Sequence, residues 1–142
     1  MNISNELRSR LVKPAFPRAS TYEAEWLFET MMGPNVLWLA EWASQAVPLH
    51  PGMRVLDLGC GKAASSIFLA KEFDLTVWAA DLWIKPTENW RRIAAAGLTD
   101  RVLPLHAEAH ALPFAEGCNL VADDNTKGAT CYSDSVLFSP AQ

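Results

Sequence analysis

Asp57, Gly59 and Gly61 stand at alternate positions in Val55-Leu56-Asp57-Leu58-Gly59-Cys60-Gly61-Lys62-Ala63-Ala64, directly after a short apolar run, and Asp81 follows Gly61 by 20 residues. Glycine at 59 and 61 lets the backbone turn sharply and approach a ligand with no Cβ in the way. With Ala64 in the third place the spacing fits the dinucleotide fingerprint GxGxxA, and Asp81 stands where an acid accepts hydrogen bonds from ribose hydroxyls. Asp57 separates the candidate ligands. A carboxylate two residues ahead of the first glycine repels a pyrophosphate and attracts a cationic group. The pattern therefore favours a positively charged nucleoside, and a nicotinamide dinucleotide oxidoreductase remains the weaker alternative, resting on GxGxxA and Asp81 alone.

Other chemistry at these residues is less well supported. A phosphate-binding P-loop ending at Gly61-Lys62 needs a glycine where Leu56 sits and Ser or Thr where Ala63 sits, so that motif fails twice. His106, Glu108 and His110 invite a metal site, but the first ends a strand, the last lies in a loop, and no further ligand is indicated by spacing; no metal is expected. Cys60 belongs to the glycine turn as a small space-filling side chain with no base beside it in sequence. Cys60, Cys118 and Cys131 are an odd number without CxxC spacing, which fits reduced thiols rather than a disulfide framework. Among the tryptophans, Trp83, just past Asp81, has the best claim to stack on a base, while Trp26, Trp38 and Trp42 read as packing residues.

The elements that must position these residues follow from periodicity. Residues 1 to about 47 read as helical and aromatic-rich. Ser20 and Glu23 have capping-box spacing ahead of Trp26, Leu27 and Met31, so a helix is expected to start there. Gly33-Pro34 then opens a second helix, with Pro34 in its first turn and an apolar stripe running to about Gln45. From 48 to 117 strands and helices alternate. Arg54–Leu58 is a strand, the glycine turn leads to a helix over Ala64–Phe73, Thr76–Ala80 is a strand ending at Asp81, Pro86–Ala96 is a helix stopped by Gly97, and Arg101–His106 is a third strand. Such βαβ units predict an α/β fold: a Rossmann-like parallel sheet with helices on both faces, about three to four strands, its ligand edge at the strands' carboxyl ends.

At this point a resemblance becomes specific. VLDLGCGKAASSIFLA resembles the first motif of class I S-adenosylmethionine-dependent methyltransferases, AADLW resembles their acidic position after the second strand, and AEAHALPFAEG resembles their later GDAxxLPF segment. The three occur in the family's order over residues 50 to 117. The resemblance implies S-adenosylmethionine as the cofactor and methyl transfer to a small-molecule acceptor as the activity. It implies that Asp57, Gly59 and Gly61, with Cys60 in the same turn, surround the methionine part and that Asp81 holds the ribose. Leu82 and Trp83 would wall the adenosine, and Glu108 with the backbone of Ala109 would read the adenine edge. Glu108 for the commoner Asp and Ala107 for the commoner Gly are the departures. The resemblance names no catalytic residue.

Composition sets the outer bounds. The 142 residues are half apolar and carry a formal charge of −4 with no basic block to follow a phosphate backbone, so nucleic acid is not the expected partner. The amino terminus lacks a secretory signal and no apolar run approaches the roughly 18 residues of a membrane span, which makes a soluble, cytoplasmic protein the expectation. Residues 118 to 142 lose the strand periodicity, with one weak candidate strand near 119–122. They are expected to form a divergent, irregular tail, the chain being a truncated enzyme that turns over weakly or a noncatalytic cofactor-binding fragment. An incomplete sheet edge would then favour self-association.

Overall fold

The computed structural model describes residues 3–114. Three strands, β1 (Arg54–Leu58), β2 (Thr76–Asp81) and β3 (Val102–His106), pair in parallel in the order β1-β2-β3. Leu58 lies beside Ala80 and Asp81 beside His106, so all three carboxyl ends share one edge. That is the edge where open α/β sheets bind ligands.

Alternation decides which layer each residue joins. Val55, Val77, Ala79 and Val102 face a core completed by Ile67, Phe68 and Leu69 of α4 (Ala64–Phe73) and by Ile93 of α5 (Pro86–Ala95). Leu37 and Ala40 of α3 (Val36–Ser44) extend this core on the far side of α4, whose residues from Ala64 to Ala70 are all buried. Tyr22 and Phe73 pack their rings against Phe68 at 5.6 and 6.1 Å. The opposite face carries Leu56, Leu58, Trp78, Ala80 and Leu105, met among the described residues by Ala107, Leu112 and Phe114 after β3. The helices α3, α4 and α5 thus serve one face of the sheet.

The βαβ part follows the periodicity to within a residue. The amino-terminal third departs from it. Instead of capping a helix, Ser20 lies in a single 3₁₀ turn (Ala19–Thr21), where its hydroxyl donates to the Phe16 carbonyl and accepts from the Lys13 N–H. The next helix, α2 (Ala24–Thr30), begins four residues after Ser20 without a side-chain cap, because Glu41 reaches over and accepts the Arg18 and Ala19 N–H groups at 3.0 and 2.8 Å. That buried carboxylate fixes the 3₁₀ turn in place of the capping box. Pro34 likewise stays outside α3, whose cap is Asn35, its side chain accepting from the Leu37 and Trp38 N–H groups. Ahead of these, α1 (Asn5–Leu11) is capped by Ser4. Trp26 and Trp38 pack against the core as expected, whereas Trp42 is 65 % exposed. The possible strand near 119–122, Cys118, Cys131 and the divergent tail lie outside the described residues.

Candidate functional site

The turn after β1 is built from three left-handed residues, Gly59 (φ 75°), Gly61 (φ 54°) and Ala63 (φ 62°). Its N–H groups are anchored to the end of β2. Gly59 and Cys60 both donate to the Ala80 carbonyl, at 2.8 and 3.1 Å, and Gly61 donates to the Asp81 carboxylate at 2.8 Å. The absent side chain at Gly61 matters twice, since a Cβ there would also stand 2.9 Å from the Met32 sulfur.

Asp57 points from the last turn of β1 toward the start of α4. Its Oδ2 accepts from the Ser65 and Ser66 hydroxyls at 2.5 and 2.6 Å. Its Oδ1 is buried and has no partner among the described residues. Burial pushes this carboxyl above the usual carboxylate range; the serine hydrogen bonds oppose the shift and the nearby Asp81 adds to it. A buried polar atom left unpaired costs about 1–3 kcal/mol.

Asp57 lines a cavity of about 340 Å³. One wall is the glycine turn with Asp57, Gly59, Cys60, Gly61 and Lys62, followed by Ala64 and Ser65. The other is the segment linking α2 to α3, with Thr30, Met32, Gly33 and Pro34, and then Val36 and Leu39 of α3. Lys62 ties the two walls together by donating from Nζ to the Glu29 carbonyl at 2.8 Å. The cavity is therefore apolar on its outer side and carries an acid, hydroxyls and one lysine on its inner side.

The structure brings Asp57, Gly59, Cys60 and Gly61 together on this cavity, and Asp81 joins them through Gly61. Asp81 is itself 6 % exposed, and its Oδ1 accepts from the Trp83 and Ile84 N–H groups at 2.7 and 2.8 Å. Of the roughly four lone-pair sites of a carboxylate, three are taken and one is left for a hydroxyl. Leu82, Trp83, Glu108 and Ala109 do not line the cavity. Leu82 and Trp83 are 43 % and 80 % exposed beyond the end of β2. The Ala107 N–H donates to the Asp81 carbonyl and so starts the Glu108 segment on the same edge. The Glu108 side chain turns to His110, 2.7 Å away, which holds its carboxyl below the usual range. His106 meets the Leu82 carbonyl at 3.1 Å through Nε2. Burial, with the charges of Asp57 and Asp81, pushes the Cys60 thiol well up, so it stays protonated and fills space.

Sequence reasoning missed Ser65, Ser66, Lys62, the Met32–Leu39 wall and Asn89. For Asn89 a signal existed: it lies four residues before the buried Ile93, on the apolar face of α5, where an amide needs partners.

The raised Asp57 carboxyl sets the sign of a pH effect. A folded state that binds the proton more tightly than the unfolded chain loses stability as pH rises from the unfolded value, about 3.9, through the raised folded one. Asp57→Asn removes this contribution. The stability difference between variant and wild type, measured by urea denaturation without ligand, should shift in the variant's favour as pH increases across that window. A difference independent of pH would contradict the burial argument.

No family model matches the sequence, and no curated protein matches it. Solved structures do. A geranyl diphosphate methyltransferase in complex with S-adenosylmethionine superposes with a TM-score of 0.53 at 23 % identity, over 72 % of this chain and 42 % of the other. A Galdieria sulphuraria protein provisionally assigned as a sarcosine dimethylglycine methyltransferase gives 0.53 at 19 %, over 66 % and 36 %. The [4+2]-cyclase SpnF gives 0.51 at 21 %, over 56 % and 30 %. The chain thus spans less than half the length of each of these proteins. It shares with them the Rossmann-like fold of class I methyltransferases, and the presence of a cyclase among them shows that this fold does not by itself fix a reaction.

Proposed function

We propose that the cavity beside the glycine turn receives the amino acid tail of S-adenosylmethionine, and that the chain carries the donor-binding part of a methyltransferase acting on a small-molecule acceptor. The observation that supports this most is the buried carboxylate of Asp57 on the cavity wall, its Oδ1 without a partner among the described residues. An ammonium group supplies the missing donor and compensates the buried charge together. The glycine turn leaves room for the ligand's backbone-facing side, and the remaining lone-pair site of Asp81 suits one ribose hydroxyl. When bound, the cofactor supplies an electrophilic methyl group on a sulfonium. The work left to the protein's own residues is to hold that group and the acceptor in line at about 3–3.5 Å with water excluded. The apolar wall of Met32, Pro34, Val36 and Leu39 fits the exclusion of water.

The same carboxylate argues against a dinucleotide. Ser65 and Ser66 hold Asp57 Oδ2 at the first turn of α4, so the anion-favouring end of that helix is already filled by the protein's own acid. A pyrophosphate would have to take its place against like charge. Calorimetric titration with S-adenosylhomocysteine and with NAD tests the choice. Binding of the adenosyl compound alone is the expected result, and NAD binding without it would overturn the reading. Because affinity depends on ionised Asp57, S-adenosylhomocysteine should bind more tightly as pH rises until that carboxyl is fully ionised.

A second reading is cofactor binding without turnover. Transfer of labelled methyl groups to candidate acceptors distinguishes the two. Incorporation into any acceptor in proportion to protein would exclude the second.

A further inference from the structure

We propose that Asn89 is a positioning residue for the ligand-binding turn, holding the Gly61 carbonyl while Asp81 holds the Gly61 N–H; the inference rests on the adenosyl reading above. Asn89 is 1 % exposed and comes from the first half of α5, well removed in sequence from the turn that it touches. Its Nδ2 donates to the Gly61 carbonyl at 2.9 Å and lies 3.7 Å from the Cys60 sulfur. Its Oδ1 accepts from Arg92 Nη1 at 3.0 Å. The arginine can only donate, so this bond fixes which way round the amide sits and aims its NH₂ at the turn.

The consequence concerns the most permissive residue of the site. Gly61 has φ 54° and no side chain to restrict it. Its N–H is held by Asp81 and its carbonyl by Asn89, so both faces of the residue are pinned before any ligand arrives. A turn already ordered spares the ligand the entropic cost of ordering it, which appears as affinity. An apolar side chain at position 89 would leave the Gly61 carbonyl without its donor. Asp at 89 reverses the contact by setting a carboxylate against the carbonyl oxygen.

The test compares Asn89→Leu, Asn89→Asp and Arg92→Met with the wild type. The readouts are S-adenosylhomocysteine affinity by calorimetry, melting temperature, amide exchange, and the Gly61 carbonyl resonance in labelled protein. Folded Asn89 variants should bind about 10- to 100-fold more weakly, with faster exchange at Gly61, a displaced Gly61 carbonyl resonance and unchanged exchange along β1 and β2. Arg92→Met should act in the same direction by about two- to fivefold, because it frees the amide to rotate. A folded Asn89 variant with wild-type affinity overturns the proposal. Should neither Asn89 variant fold, Arg92→Met decides, and unchanged affinity with an unchanged Gly61 resonance overturns it. A wild-type protein that binds no S-adenosylhomocysteine overturns the adenosyl reading instead, and the carbonyl resonance distinguishes that failure from this one.

Discussion

Asp57→Asn is expected to weaken S-adenosylhomocysteine binding by about 1.5–3 kcal/mol, roughly 10- to 150-fold, while leaving the ligand-free protein at least as stable at neutral pH. Both halves come from the same geometry. The carboxylate is 1 % exposed, holds two serine hydroxyls on one oxygen and has nothing on the other. Without ligand this is an incompletely solvated charge, and burial raises its affinity for a proton accordingly. The amide keeps the shape and an acceptor for the serines, and removes the charge. With ligand the balance inverts, because the charged acceptor that destabilised the free protein is the partner of the incoming ammonium. A site residue that improves the fold when neutralised is the pattern expected where function is kept at the expense of stability. Titration and urea denaturation on the two proteins check the pair of outcomes. Wild-type affinity in the folded variant would remove the main support for a cationic ligand.

How far this site could be read before its coordinates depends on how local each interaction is. The bend after β1 announces itself through Gly59 and Gly61, the strands through short apolar runs, β2 closed by Asp81, and the end of α5 through Gly97. Those signals act over a few residues, and the structure follows them closely. Ser20 and Glu23 carried an equally local signal that failed, since the buried carboxylate of Glu41, more than twenty residues away, took over the N–H groups near Ser20. Charge alone singled out Asp57, yet its hydrogen bonds to Ser65 and Ser66 could not be foreseen, because two serines opening a helix read as ordinary polar residues. The outer wall was hidden for a related reason. Met32, Val36 and Leu39 have the character of core residues, and only the path of the chain between α2 and α3 turns them toward the glycine turn. Asn89 meets its partner 28 residues away, across α4, β2 and the loop that follows.

Asp81→Ala is expected to be the most damaging single change at this edge, costing about 2–4 kcal/mol of stability and most of the measurable adenosyl binding. Asp81 accepts three N–H groups, from Gly61, Trp83 and Ile84, all at 2.7–2.8 Å. Truncation leaves all three without a protein acceptor. Water can reach the amides of Trp83 and Ile84, which border exposed side chains, so the loss falls short of three independent charged hydrogen bonds. At Gly61 the loss also reaches the ligand-binding turn, which without Asp81 keeps the Asn89 bond to the Gly61 carbonyl. Asp81→Asn separates the two contributions, because the remaining oxygen can still serve Trp83 and Ile84 while the new NH₂ opposes the Gly61 N–H. It should therefore cost about half as much stability and nearly as much affinity. Urea denaturation with parallel titration makes the comparison. An alanine variant as stable as the wild type would mean that the turn owes its shape to the chain's own bend, and that Asp81 is free to serve a ligand with both oxygens.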